Sequence, residues 1–181
     1  MAVPNESKSV RVWDLGVRLF HWALVTCFVA AYLIERPRDL HEAFGYAVAG
    51  LVAFRLVWGV IGTRHARFTD FVPGPRRFLG YLRDMIRGVE ARYLGHNPAG
   101  GAMIIALLTI LAGICATGVM MGMDAYFGES WVEEAHEALV SVALALVVLH
   151  VVGVALSSLR HGENLVHAMI TGRKAKGEHR A

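Results

Sequence analysis

Charge is missing from long reaches of this 181-residue chain. Residues 98–123 (PAGGAMIIALLTILAGICATGVMMGM) hold no charged side chain at all. Cysteine and tyrosine aside, residues 15–34 hold only Arg18 and His21 as ionisable groups, residues 43–62 only Arg55, and residues 138–159 only His150. With 55% hydrophobic residues and a mean hydropathy of +0.46, the composition excludes an ordinary soluble domain. Cysteine is nearly missing too. Cys27 and Cys115 lie in different apolar stretches and make no C-x-x-C pair. That excludes a disulfide framework and leaves two buried, inert thiols. Internal repeats and low-complexity segments are lacking. The opening MAVPNESKSVRVWD is polar and unlike a signal sequence. VAAY at 29–32 mimics a cleavage site, but a cut there would discard His21, so the first apolar stretch is read as retained.

Each of the four apolar stretches approaches the ~20 residues that a helix needs to cross the hydrocarbon core. In lipid, backbone groups must be satisfied internally, so each reads as a helix. The expected fold is all-α: a single integral membrane domain over residues 1–181, a four-helix bundle. Its helices are expected at about 12–34, 41–62, 98–122 and 131–159, with a loop at 63–97 and a tail at 160–181. The short ERPRDL connection makes the first two helices antiparallel neighbours.

Basic residues set the orientation. Three Lys or Arg lie in residues 1–18, seven in 63–97 and five in 158–181, fifteen of eighteen on one side. The opposite MDAYFGESWVEE loop has four acids and no base. The positive-inside rule therefore places both termini in the cytoplasm. The net charge of +3 is explained by these topology signals and gives no reason to expect a nucleic acid partner. In the long loop, Pro73, Gly74 and Pro75 break structure. Phe78, Leu82, Met85 and Ile86 then recur at helical spacing with Arg83 and Arg87 on another face. They predict an interfacial amphipathic helix over about 75–88, the alternative being an ordered loop. The tail from His161 ends in GRKAKGEHRA, expected to be solvated or to lie against anionic membrane lipid.

Histidines stand out against this apolar background, because ionisable groups inside a membrane are costly and usually functional. His136 and His150 bracket HEALVSVALALVVLH. Fourteen residues make almost four turns, leaving about 40° of drift, so both leave the same helix face, roughly 21 Å apart. His21 lies about nine residues past the inner end of the first helix, and His150 nine before Leu159. They share a depth. His41 and His136 each begin a helix on the outer side and share another. The depths pair His21 with His150 and His41 with His136.

Two imidazoles facing across a helical bundle suit a low-spin haem b, one on each face of the iron. A zinc site would want three or four ligands at one point, which two levels do not provide. Arg55 lies fourteen residues after His41, on the same face at the inner level, and Arg18 one turn before His21. Both are candidates to neutralise haem propionates, although Arg18 could equally snorkel to the interface. Gly45, Ala49, Ala143 and Gly153 flank the histidines and would let a flat macrocycle approach the backbone; ordinary small-residue packing is the alternative. Trp13, Trp22, Trp58 and Trp131 read as interface anchors. His65, His161, His167 and His179 read as solvated. His96, in YLGHNPAGG, sits where the basic loop enters the third helix. It could serve a quinone headgroup as hydrogen-bond partner and proton carrier, or simply structure the loop beside Asn97-Pro98.

RLFHW, LHEAFGY, YLGHNPAGG and HEALVSVALALVVLH, within a span running from VWDLGVRLFHW at 12–22 to ENLVHAMITGRK at 163–174, carry a resemblance. The chain resembles the prokaryotic cytochrome b561 family, grouped with the membrane cytochrome b subunits of nickel-iron hydrogenases. The resemblance implies a four-helix bundle with two b haems and His21, His41, His136 and His150 as axial ligands. It implies a multi-pass protein of the bacterial inner membrane that exchanges electrons between quinone (ubiquinone or menaquinone) and a cytochrome or hydrogenase-type partner. A homodimer and a docking role, in which haem merely structures a membrane anchor, stay open. There is no C-x-x-C-H, hence no covalent c-type haem.

Overall fold

The computed structural model describes residues 9–175. His179 and the last residues of the GRKAKGEHRA run lie outside the described residues. Four long helices dominate: α1 (Leu15–Leu33), α2 (Arg38–Ile61), α5 (Pro98–Met121) and α6 (Ser130–His161). All four are long and apolar enough to cross a membrane. Their outer faces carry large apolar side chains such as Leu19, Val60, Val148 and Leu159, each more than half exposed. Such a surface is tolerable only in lipid. The chain is an integral membrane four-helix bundle. Between the second and third spans lie α3 (Phe68–Phe71) and α4 (Pro75–Arg87), so the amphipathic segment is a helix of thirteen residues.

Helix ends follow the local chemistry. Asn97 accepts from the Gly100 N–H at 2.7 Å, and Pro98 opens α5 where no N–H is needed. Asp14 caps α1 by accepting from the Val17 N–H at 2.8 Å. It also accepts from the Trp58 indole at 3.2 Å and the Thr63 hydroxyl at 2.5 Å, which ties the start of α1 to the end of α2. Burial works to raise the Asp14 pKa, but the bonds from Thr63, the Val17 backbone and Trp58 outweigh it and hold the carboxyl below its usual value.

Backbones approach closely between α1 and α2, α2 and α5, and α5 and α6, but at most marginally between α6 and either α1 or α2. Phe20, Val48, Val52, Leu108 and Leu111 form the packed core of the first three of these helices. The histidine-bearing helices α1 and α2 thus face α6 without close packing.

The end of the bundle nearest β1 and β2 departs most from expectation. The tail is folded back: α7 (Leu165–Thr171) is followed by β2 (Arg173–Ala175), which pairs antiparallel with β1 (Ser9–Arg11). The Val12 and Trp13 N–H groups both donate to the Gly172 carbonyl, at 2.9 and 3.1 Å. Gly172 turns the chain at φ 79°, a left-handed conformation that glycine adopts without strain. Lys174 is buried rather than solvated: Glu163 pairs with it at 3.3 Å, and Glu163 also binds Arg92. Arg160 reaches Glu90 at 2.8 Å. Trp13, expected as an interface anchor, is instead buried against Ala168. These ion pairs join loop 63–97 and the tail into one layer under the bundle.

The layer meets α5 at a close approach. A Cβ on Gly101 would lie 2.4 Å from the Phe71 carbonyl oxygen, a backbone atom that cannot step aside alone. Gly101→Ala is expected to cost about 1–3 kcal/mol, read as a lower unfolding midpoint in detergent. An unchanged midpoint would show that the layer gives way freely.

Candidate functional site

His41 lies in the first turn of α2 and His136 in the second turn of α6. Their ring centroids are 6.3 Å apart with planes at 66°. His41 Nδ1 lies 2.9 Å from the Ala31 carbonyl oxygen. A carbonyl only accepts, so Nδ1 carries the proton and Nε2 keeps a free lone pair. His136 Nδ1 lies 3.0 Å from Thr117 Oγ1. The single Thr117 hydroxyl proton is directed at the Gly113 and Ile114 carbonyls, both at 3.0 Å, so Oγ1 accepts from His136 Nδ1–H. Both rings are thus assigned the tautomer with Nε2 unprotonated. Metal-binding histidines are commonly oriented this way, by a bond from the other ring nitrogen. Thr117 was not singled out from sequence. Its only signal was a lone hydroxyl in the ICATGVM run, on a helix with no histidine.

At the second level, His21 is partly buried on α1, and its Nδ1 is buried without a protein partner. It stands edge-on to Trp22, centroids 5.0 Å apart. His150 of α6 is close enough to act on it electrostatically. Among the described residues, no three His, Cys, Asp or Glu side chains converge at one point. Around the pairs, a Cβ on Gly45 or Gly153 would have no neighbour within 4 Å, whereas Ala143 is buried in the helix contact.

Arg55 is only 2% exposed. Its guanidinium lies 4.9 and 5.6 Å from the Phe68 and Phe71 ring centroids, and its Nη1 has no partner. A desolvated cation with one free N–H edge is suited to an anionic group of a cofactor. Arg18 is partly committed elsewhere: its Nη2 donates to the Ile170 carbonyl of α7, while its Nε is buried and unpartnered.

His96 is sandwiched between Trp13 and Phe71, at centroid distances of 4.4 and 4.7 Å. Burial, together with the charges of Arg55 and Lys174, pushes its pKa down to about 3, so the ring is neutral. Its Nδ1 is buried without a partner. Beside it opens a cavity of about 170 Å³ lined by Arg64, His65, Asp70, Arg77 and Tyr93. His65, expected in solvent, belongs to this wall, with Nδ1 3.0 Å from where a Gly95 Cβ would stand.

The profile of the prokaryotic cytochrome b561 family matches residues 12–172, nearly the whole chain. The chain belongs to the prokaryotic cytochrome b561 family. Its curated relatives carry one printed name, probable Ni/Fe-hydrogenase B-type cytochrome subunit. The protein from Rhizobium leguminosarum bv. viciae is 22% identical over 93% of this chain and 90% of its own length. Those from Bradyrhizobium diazoefficiens and Azotobacter chroococcum are 23% and 24% identical, over 68% and 71% of this chain. There the match spans 62% and 66% of the relative, just under two thirds of their length. No solved structure matches significantly. The cytochrome b561 fold and name imply a multi-pass membrane protein of b-type cytochrome class. The orphaned nitrogens of His21 and Arg55 and the preset tautomers of His41 and His136 fit such a group.

Proposed function

We propose that this cytochrome b561 carries two b haems and moves electrons between the quinone pool and a redox protein partner, across or along the bacterial inner membrane. The observation that carries the reading is the His41–His136 pair, two imidazoles facing at 6.3 Å with both Nδ1 atoms already occupied. In this reading His41 and His136 hold one haem and His21 and His150 the other. Haem b, when bound, supplies reversible one-electron chemistry. The protein does the rest. Ala31 and Thr117 fix ring orientation and raise the basicity of the ligating nitrogens. Arg55, and Arg18 with its remaining donors, balance propionate charge in a site where water is excluded. His96, neutral and carrying an unpartnered ring nitrogen, offers a hydrogen bond to a quinone headgroup.

The excess of basic residues at the layer end supports placing both termini in the cytoplasm. The relatives' printed names favour a hydrogenase-type partner over a cytochrome, and with it a second reading as a haem-containing anchor or docking subunit of such a complex. A homodimer is compatible with either. Haem content by pyridine haemochrome, followed by reduction with ubiquinol or menaquinol, tests both readings. Two low-spin b haems per chain, reduced by quinol, are expected. One haem would overturn the dihaem assignment. Two haems inert to quinol, in a chain that co-purifies with a hydrogenase-type partner, would favour the anchor.

A further inference from the structure

We infer that α4 is docked on the anionic headgroup layer of the membrane leaflet at the inner end of the bundle, with Leu79 and Ile86 inserted and Arg76, Arg83 and Arg87 on lipid phosphates. The helix is bounded by Pro75 in its first turn and by Gly88 at φ 71°. At 100° per residue, Tyr81, Met85, Phe78 and Leu82 share one face. The structure turns that face inward: Tyr81 is 7% exposed, the other three are half-buried, and the helix packs against α5. The apolar arc does not stop there. Leu79 and Ile86, seven residues apart and so nearly in line, extend it onto the open side at 63% and 84% exposure. Next around the helix come Arg83, Arg76 and Arg87, all exposed. Arg83 has one weak carboxylate neighbour, Asp84 at 3.7 Å, and no ion pair involves Arg76 or Arg87 among the described residues.

An apolar ledge bordered by cations is complementary to an anionic lipid surface, where aliphatic side chains enter the acyl boundary and guanidinium groups meet phosphate. Chain path puts the ledge at that depth. α4 sits between the end of one spanning helix at Ile61 and the start of the next at Pro98. Arg77 leaves the other side of α4, lies 5.6 Å from the Tyr93 ring and lines the His96 cavity. The helix is therefore a wall shared by the leaflet and that cavity. None of this depends on haem count or on quinone.

The test uses the full chain with Cys27→Ala and Cys115→Ala, carrying Leu79→Cys, Ile86→Cys or Asp84→Cys labelled with an environment-sensitive fluorophore. Each is reconstituted into phosphatidylcholine vesicles with or without phosphatidylglycerol. Labels at 79 and 86 are expected to be blue-shifted and quenched by spin-labelled lipid, while the label at 84 stays water-like. Phosphatidylglycerol should raise the quenching several-fold, and joint Arg76→Gln, Arg83→Gln and Arg87→Gln should abolish that rise. Water-like emission at 79 and 86 would overturn the proposal. So would emission shielded from water but unquenched by lipid, the sign of a protein covering the ledge. Equal quenching in both lipids would overturn the anionic assignment.

Discussion

His136→Ala is expected to lower the haem content from two per chain to about one, and His150→Ala to do the same at the other level. The two variants should differ in which haem survives. At the outer level the deletion removes one of two facing rings, and His41 alone, held by Ala31, leaves a metal one imidazole short. At the other level His21 loses the histidine that depth along the helices pairs with it. Because the levels are roughly 21 Å apart along α6, loss at one should leave the other spectrally intact. Reduced-minus-oxidised spectra of the two variants should therefore sum to that of the unaltered protein. Thr117→Val is the milder companion. It keeps the His136 ring but removes the acceptor that fixes its Nδ1–H, and it should weaken haem retention by about 10–100-fold without abolishing it. Equal haem content in all three variants and the parent would remove the histidine pairs from the reading.

The second large effect is on pH dependence. His96 is neutral in the fold, with its pKa pushed down to about 3, against an ordinary value near 6.5. The unfolded chain takes up a proton below about 6.5 that the folded chain refuses. Stability is therefore complete above that value and lost as pH falls toward 3, by an amount on the order of a few kcal/mol. His96→Phe, which keeps an aromatic ring between Trp13 and Phe71, should flatten that part of the profile while unfolding is followed by Trp13 fluorescence. An unchanged slope would mean that His96 takes up its proton as readily in the fold as in the unfolded chain.

Much of this molecule is legible in its sequence because lipid imposes simple rules. The four spans follow from the near-absence of charge, and the amphipathic helix at 75–88 from its spacing, ending at Arg87 in the structure. The facing of His41 and His136 followed from depth alone, since a helix rises by a fixed step. What was not legible depends on residues far apart in the chain. Ser9 pairs with Ala175, and no local pattern in a polar tail announces a strand of three residues. Lys174 looks solvated until Glu163 and the Tyr93 carbonyl are brought to it. Thr117 is silent because a hydroxyl in a membrane helix usually bonds its own backbone, and its second bond exists only once α6 lies beside α5.

The pairing of β1 with β2 also sets an order of assembly. A chain made from its amino end cannot form that clasp until residues 173–175 have left the ribosome. Val12 and Trp13 therefore wait, their N–H groups without the Gly172 carbonyl, while four spans enter the membrane. The layer that buries His96 closes last. A polypeptide halted between His161 and Gly172 keeps its four spans but lacks the clasp beneath them.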